Sequence, residues 1–136
     1  MTEYELLDVL QGQVDAMMSL MQWWAAMTLG LLIGVHVIGK ELNVYMTGLL
    51  IALYVAFTAF INLIESAHGT RMQLLIASLG RLQDQGESLS DMSKAIIDGG
   101  GPPAVVTIFA AVGFFGLFVA TIGYVIYRYR KASHAD

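Results

Sequence analysis

The sequence predicts an all-α membrane protein with three transmembrane helices. Of its 136 residues, 57% are hydrophobic and only 13% are charged, and the mean hydropathy is +0.65. A soluble domain contains about one quarter charged residues. Three apolar segments without Lys, Arg, Asp or Glu explain the difference, and each has about 20 residues or more, enough to cross a hydrocarbon core of about 30 Å. They are span 1 (16–38), span 2 (44–64) and span 3 (104–127).

The first helix is expected to begin before the membrane. Thr2 and Glu5 have the spacing of a capping box, with a hydroxyl at the N-cap and a carboxylate three residues later. Residues 1–15 are therefore expected to form an outer amphipathic helix that continues into span 1. Its apolar positions alternate in heptad-like steps of three and four: Leu7, Leu10, Val14, Met17, Met21, Trp24 and Thr28. Trp23 and Trp24 are expected at the outer membrane interface.

Spans 1 and 2 are expected to form an antiparallel hairpin, because only the short turn 39–43 joins them. The segment 65–98 is expected to continue outside the membrane as helix. It carries a seven-residue apolar repeat that begins in span 2: Ile61, His68, Leu75, Leu82 and Leu89, with Glu65, Met72 and Leu79 between them. The two helices would therefore extend beyond the bilayer as a coiled-coil-like stalk.

The remaining segments complete a single membrane domain, 1–136. A short helix that starts near Ser88 or Ser90 is expected to end at Gly99. The run Gly-Gly-Gly-Pro-Pro at 99–103 is predicted to be a linker back to span 3. A tail, 128–136, follows span 3.

The distribution of basic residues predicts the orientation. Arg128, Arg130 and Lys131 directly follow span 3, and Lys40 lies between spans 1 and 2, whereas residues 1–15 contain no Lys or Arg. By the positive-inside rule, the N-terminus and the 65–103 segment lie outside and the C-terminus is cytoplasmic. The expected location is a bacterial inner membrane. The expected partners are the lipid bilayer and either further copies of the chain or other membrane subunits.

Each span has a face of small residues, of the kind that lets membrane helices approach closely. The faces of spans 1 and 2 are expected to meet. The helix-packing residues are Ala26, Gly30 and Gly34 in span 1, Gly48, Ala52 and Ala56 in span 2, and Gly116 and Ala120 in span 3.

Span 2 also carries a polar stripe at helical spacing. It consists of Thr47, Tyr54, Thr58, Asn62 and Glu65. Polar side chains in a span face protein or water rather than lipid. In one interpretation the stripe lines a pore formed by several copies, with Glu65 at its outer mouth. In the other, Thr58 and Asn62 form hydrogen bonds between helices.

No cofactor is expected. The chain has no cysteine, and His36 and His68 lie near opposite ends of the membrane, about 30 Å apart, too far to ligate one haem. Thioether and imidazole groups suit Cu(I), although methionine is also an ordinary filler of packing gaps. The candidate copper ligands are Met17, Met21, His68 and Met72.

Three functional hypotheses remain. The first is a small non-enzymatic homo-oligomer in the membrane, with the polar stripe of span 2 as the lining of an ion-conducting pore. The second is an accessory subunit of a larger membrane complex, and the third is an outward-facing copper-binding protein. Enzymatic activity is not expected, because the chain has no phosphate-binding glycine loop and no Ser/His/Asp set within reach. A nucleic-acid partner is not expected, because no run of basic residues is present.

Overall fold

The protein is all-α in the parts of the chain that the structure describes. The computed structural model describes residues 2–39, 41–99 and 104–133, with side chains except for 104–107 and 109. The helices are α1 (Glu3–Ile38), α2 (Val44–Asp84), α3 (Asp91–Gly99) and α4 (Ala104–Ser133). Three of them, α1, α2 and α4, are long and apolar enough to cross a membrane, as predicted. Lys40, positions 100–103 of the predicted linker and the last three residues of the tail lie outside the described residues.

Local hydrogen bonds define the starts of α1 and α2. The Thr2 hydroxyl accepts from the Glu5 amide at 3.3 Å, and the Glu5 carboxylate accepts from the Thr2 amide at 2.8 Å. The predicted capping box is therefore confirmed. Asn43 caps α2, because its side-chain oxygen accepts from the Met46 amide at 2.8 Å.

Helix α2 ends in a glycine turn. Gly86 has φ +83°, its amide donates to the Gln83 carbonyl, and the Glu87 amide donates to the Leu82 carbonyl. This bond pair is a Schellman motif, which requires the left-handed conformation that glycine adopts without strain. With 41 residues, α2 is about 60 Å long, about twice the thickness of a hydrocarbon core. Its second half therefore extends well past the apolar segment.

Side-chain hydrogen bonds join α1 to α2 at three levels. The bonded pairs are Trp24 with Thr58, Thr28 with Tyr54, and Gln13 with His68. Residue numbers fall along α2 as they rise along α1, and every pair sums to 81 or 82. The contact between the two helices therefore keeps one register from the apolar segments to the part of α2 beyond them.

The buried face of α1 differs by one residue from the predicted heptad at several positions. Val14 and Met21 are exposed, whereas Gln13 is partly buried and bonds His68. Counting back from Trp24 in steps of 3.6 residues gives the observed positions: Leu20, Met17, Gln13, Leu10 and Leu6. The buried positions of α1 thus recur with the 3.6-residue period of a straight helix, not with the 3.5-residue period of a coiled-coil seam. On α2, by contrast, the predicted repeat from Ile61 to Leu82 is buried or partly buried throughout.

A carboxylate at the start of α1 holds the start of α3. Glu3 accepts from the Ser90 amide at 2.9 Å, from the Ser90 hydroxyl at 2.5 Å and from the fully buried Ser93 hydroxyl at 2.5 Å. Ser90 is also the N-cap of α3, since its hydroxyl accepts from the Ser93 amide at 3.3 Å. Hydrogen bonds from Ser90 and then from Ser93 lower the pKa of Glu3 below its ordinary 4.5. Glu3 lies well before the apolar segment of α1.

The attachment of α3 is expected to weaken in acid. Because the folded-state pKa of Glu3 lies below 4.5, its stabilisation is fully present above that ordinary value and is lost as the pH falls through the lowered pKa. Hydrogen exchange of the α3 amides should therefore show less protection at about pH 3 than at about pH 6.

A pair of matched variants tests this assignment. Glu3→Gln should loosen α3 already at about pH 6 and abolish the acid dependence. Glu87→Gln removes an equal charge from an exposed position just before α3 and should do neither. Equal protection of α3 in wild type and Glu3→Gln would contradict the role of Glu3.

Candidate functional site

Four polar side chains form a buried layer between α1 and α2, here called the polar layer: Trp24, Thr28, Tyr54 and Thr58. The Trp24 indole N–H donates to the Thr58 hydroxyl at 3.2 Å, and the Thr28 and Tyr54 hydroxyls share a hydrogen bond of 3.0 Å. Thr28 also donates to the Trp24 carbonyl at 2.8 Å. Each polar group in the layer thus has a partner within one chain, as buried polar groups require.

Two aromatic rings of α4 cover the polar layer. Phe114 stacks on Trp24 with centroids 4.2 Å apart, and Phe118 stacks on Tyr54 at 5.5 Å. Aromatic pairs at such distances add to the packing energy. The layer is therefore the point at which all three long helices meet.

The predicted stripe of span 2 is divided between interior and surface. Thr47, Tyr54 and Thr58 are buried, Glu65 is partly buried, and Asn62 is exposed and donates to the Thr58 carbonyl of its own helix at 2.9 Å. Of the two residues expected to bond between helices, Thr58 accepts from Trp24 of α1, whereas Asn62 bonds only within α2. Among the described residues, Thr47 Oγ1 and Glu65 Oε1 are buried without a hydrogen-bond partner.

Trp24 is a site residue whose surroundings differ from those that the sequence predicts. The sequence places it in the membrane interface beside Trp23, but it is only 7% exposed, whereas Trp23 is 68% exposed. The expectation was wrong because the indole N–H finds Thr58 instead of a headgroup. The available signal was the spacing of Trp24 and Thr28, which places both on one helix face.

The small residues lie on the outside of the helices. A methyl group added at Gly30, Gly34, Gly48 or Gly116 would meet no atom within 4 Å, and the predicted alanines Ala26, Ala52, Ala56 and Ala120 are exposed. The expectation that the faces of spans 1 and 2 meet within one chain is therefore wrong. The large side chains of the polar layer occupy that interface, and the small residues lie beside it or on the opposite sides of the helices, with Gly34 partly buried.

A second polar cluster closes the end of α1. Arg128 donates from Nη2 to the His36 carbonyl at 2.8 Å, and His36 Nδ1 shares a 2.8 Å hydrogen bond with the Tyr124 hydroxyl. The guanidinium lies directly on Gly39, where a Cβ would overlap it. The last carbonyls of a helix lack partners within the helix and attract a cation. Arg128 of α4 supplies that cation, next to a core of Val35, Leu42 and Val125.

A lateral groove of about 550 Å³ lies between α1 and α4, beside this second cluster. Its walls are almost entirely apolar. It is lined by Leu32, Ile33, His36, Val37, Leu117, Ala120, Thr121 and Tyr124. One of the small residues predicted for helix packing, Ala120, thus forms part of a groove instead of a close contact within the chain.

The candidate copper ligands are partly engaged elsewhere. His68 Nδ1 is 2.6 Å from Gln13 Oε1, and Met21 is 44% exposed, while Met17 and Met72 are partly buried. The hydrogen bond to Gln13 leaves only Nε2 of His68 for a metal ion.

Two hydrogen-bonded clusters, one groove and the outward small-residue faces thus make up the candidate site. The chain matches no protein-family model, no curated protein and no solved structure. Most polar groups of the two clusters are bonded to one another, which is typical of structural hydrogen bonds. The groove and the small-residue faces are the parts of the site that are open to a partner.

Proposed function

We propose that the chain is a small, non-enzymatic integral membrane protein that associates laterally with other transmembrane helices, in the first instance with copies of itself. The observation that carries the proposal is the open space over Gly30, Gly34, Gly48 and Gly116. In lipid, apolar helices associate mainly by close van der Waals packing, for which small residues are the preferred contact.

The exposed surface supports insertion into a membrane. Large apolar side chains are exposed along both α1 and α2, including Leu29, Ile33, Val37, Leu49 and Leu53. A continuous apolar surface of this kind needs a cover, and lipid provides one. We propose that α1 and α2 cross the bilayer as an antiparallel hairpin and project from it as a stalk.

The basic end of α4 supports the proposed orientation. Arg128, Arg130 and Lys131 lie in the last turns of α4, while α1 begins with Glu3 and Glu5. In this arrangement the C-terminus lies in the cytoplasm and the stalk lies outside a bacterial inner membrane.

A pore lined by the polar stripe is the less favoured form of the proposal. Tyr54 and Thr58 already bond Thr28 and Trp24 inside one chain. If these hydroxyls faced a pore axis between copies, both hydrogen bonds would break. Trp24 and Tyr54 would also lose their stacking on Phe114 and Phe118 of α4. We therefore propose assembly through the small-residue faces, without a conduction pathway along the stripe.

An accessory subunit of a larger membrane complex is the second candidate. Small residues are exposed on all three long helices, represented by Gly30, Gly48 and Gly116. A ring of identical subunits uses two complementary faces of each chain. This chain has small-residue faces on three helices, one more than a ring needs. That number favours contacts with several neighbouring subunits.

Gly30→Leu is expected to weaken association without unfolding the chain. Gly30 is exposed and a Cβ there meets no atom within 4 Å, so a leucine can extend away from the bundle, where it prevents close approach of another helix. Association in mild detergent, measured by native mass spectrometry against protein concentration, should weaken about tenfold or more.

Ala25→Leu is the matched control for this measurement. Ala25 is also exposed on α1, but it lies on a different side of the helix from Gly30 and Gly34. It should leave association unchanged. A wild-type chain that is monomeric at every concentration, and that co-purifies with no other chain from membranes, would contradict both candidates.

A further inference from the structure

We propose that the groove between α1 and α4 holds one acyl chain of an anionic phospholipid, whose phosphate lies at the end marked by Arg128 and Lys131. The inference rests on the proposed placement of the chain in a membrane. The groove volume of about 550 Å³ is within the range of about 300–1,000 Å³ that is usual for ligand pockets.

The side chains that line the groove explain why it is apolar. On α4, Ala120 leaves the space that a larger side chain would fill. Thr121 donates its hydroxyl to the Leu117 carbonyl at 2.8 Å, so this polar group is satisfied within its own helix. On α1, Leu32, Ile33 and Val37 complete the wall. An acyl chain matches such a surface.

One end of the groove is polar, and basic residues follow beyond it on α4. His36 and Tyr124, which are hydrogen-bonded to each other, line it. Arg128 follows one turn beyond Tyr124, and its buried Nε has no hydrogen-bond partner among the described residues. Lys131 lies seven residues after Tyr124 and so on the same face of α4.

Charge complementarity selects the occupant. Basic pockets between transmembrane helices bind anionic lipid headgroups. A phosphate at this end would face Arg128 and Lys131, whereas Glu41, after the end of α1, is exposed. A zwitterionic lipid such as phosphatidylcholine would fill the apolar wall equally well, but the ammonium of its own headgroup offsets its phosphate, so it would bring no net negative charge to Arg128 and Lys131.

The test is native mass spectrometry of the full chain in mild detergent with added lipid. Phosphatidylglycerol and phosphatidylcholine with identical acyl chains are compared, and phosphatidylglycerol should bind more tightly. Ala120→Leu fills the groove and should weaken phosphatidylglycerol binding about tenfold. Lys131→Gln should weaken it about fivefold.

Each variant has a matched control on α4. Ala111→Leu makes the same change at an exposed residue on the opposite side of the helix, and Arg130→Gln removes one charge from a different face. Both controls should change binding less than about twofold. Since the Lys131 and Arg130 variants alter only exposed side chains, they remain informative even if Ala120→Leu fails to fold.

Three results would overturn the proposal. They are equal binding of the two lipids, equal effects of Ala120→Leu and Ala111→Leu, and displacement of phosphatidylglycerol by inorganic phosphate, which would indicate a site for a free anion. Extraction of the cell membranes with alkaline carbonate separates this failure from that of the proposed function. A chain released by carbonate is not membrane-inserted, whereas a retained chain without lipid preference contradicts the groove proposal alone.

Discussion

Trp24→Ala is expected to destabilise the protein by about 3 kcal/mol. The substitution removes the stacking of Trp24 on Phe114, leaves a cavity where three helices meet, and deprives the Thr58 hydroxyl of its donor. Because the chain has no cysteine, Val125→Cys at a fully buried position provides a reporter. The rate at which this thiol is labelled in mild detergent measures how often the bundle opens.

Trp23→Ala is the matched control, because it separates the effect of the position from the effect of removing a tryptophan. It removes the same side chain from the adjacent position, where the ring is 68% exposed, and should change stability by less than about 0.5 kcal/mol. Trp24→Phe keeps a ring for stacking but loses the N–H, and should cost about 1 kcal/mol. Equal labelling rates in Trp23→Ala and Trp24→Ala would show that the contacts of Trp24 in the polar layer do not stabilise the bundle.

Gly39→Ala is expected to destabilise the protein by about 1 kcal/mol net. The new methyl group would overlap the Arg128 guanidinium, which would have to leave the end of α1 and give up its bond to the His36 carbonyl. A hydrogen bond from a charged donor contributes about 1.5–3 kcal/mol, more than the helix propensity that alanine adds, which is about 0.5–1 kcal/mol. The same Val125→Cys reporter measures the change.

Gly34→Ala is expected to stabilise the protein, in contrast to Gly39→Ala. A methyl group at Gly34 meets open space, so only the propensity gain of about 0.5–1 kcal/mol remains when the protein is dilute enough to be monomeric. The cause of the Gly39 effect can be checked in an Arg128→Gln background, where Gly39→Ala should cost little. An undiminished penalty in that background would show that Arg128 is not the group displaced.

Helix existence and helix ends could be predicted where they depend on neighbouring residues. The capping box of Thr2 and Glu5 is visible as a motif of four residues, and it forms. The apolar repeat that begins in span 2 predicts a helix that continues past the span, and α2 runs from Val44 to Asp84. The short helix ends at Gly99, and Ser90, one of two predicted caps, begins it.

Which side chains face the interior could not be predicted from neighbouring residues. Adjacent tryptophans have equal hydropathy, yet Trp24 is in the interior and Trp23 is at the surface. Val14 is the more apolar choice for a buried seam, yet the 3.6-residue period of α1 places Gln13 there, where it bonds His68. The bond of Arg128 to the His36 carbonyl joins residues 92 positions apart, and no local pattern in either helix indicates it.

The sequence by itself determined the helical class, the three apolar spans and the caps, because hydropathy and capping depend only on residues near each other in the chain. Only the tertiary structure decided that the polar layer faces inward, that the small residues face outward, and that α1 and α4 enclose a groove. The physical reason is that a span which is apolar all round has little amphipathic signal, so its rotation about its own axis is set by its partners. For this chain, Tyr54, Thr58 and Phe114 set that rotation by their contacts with α1.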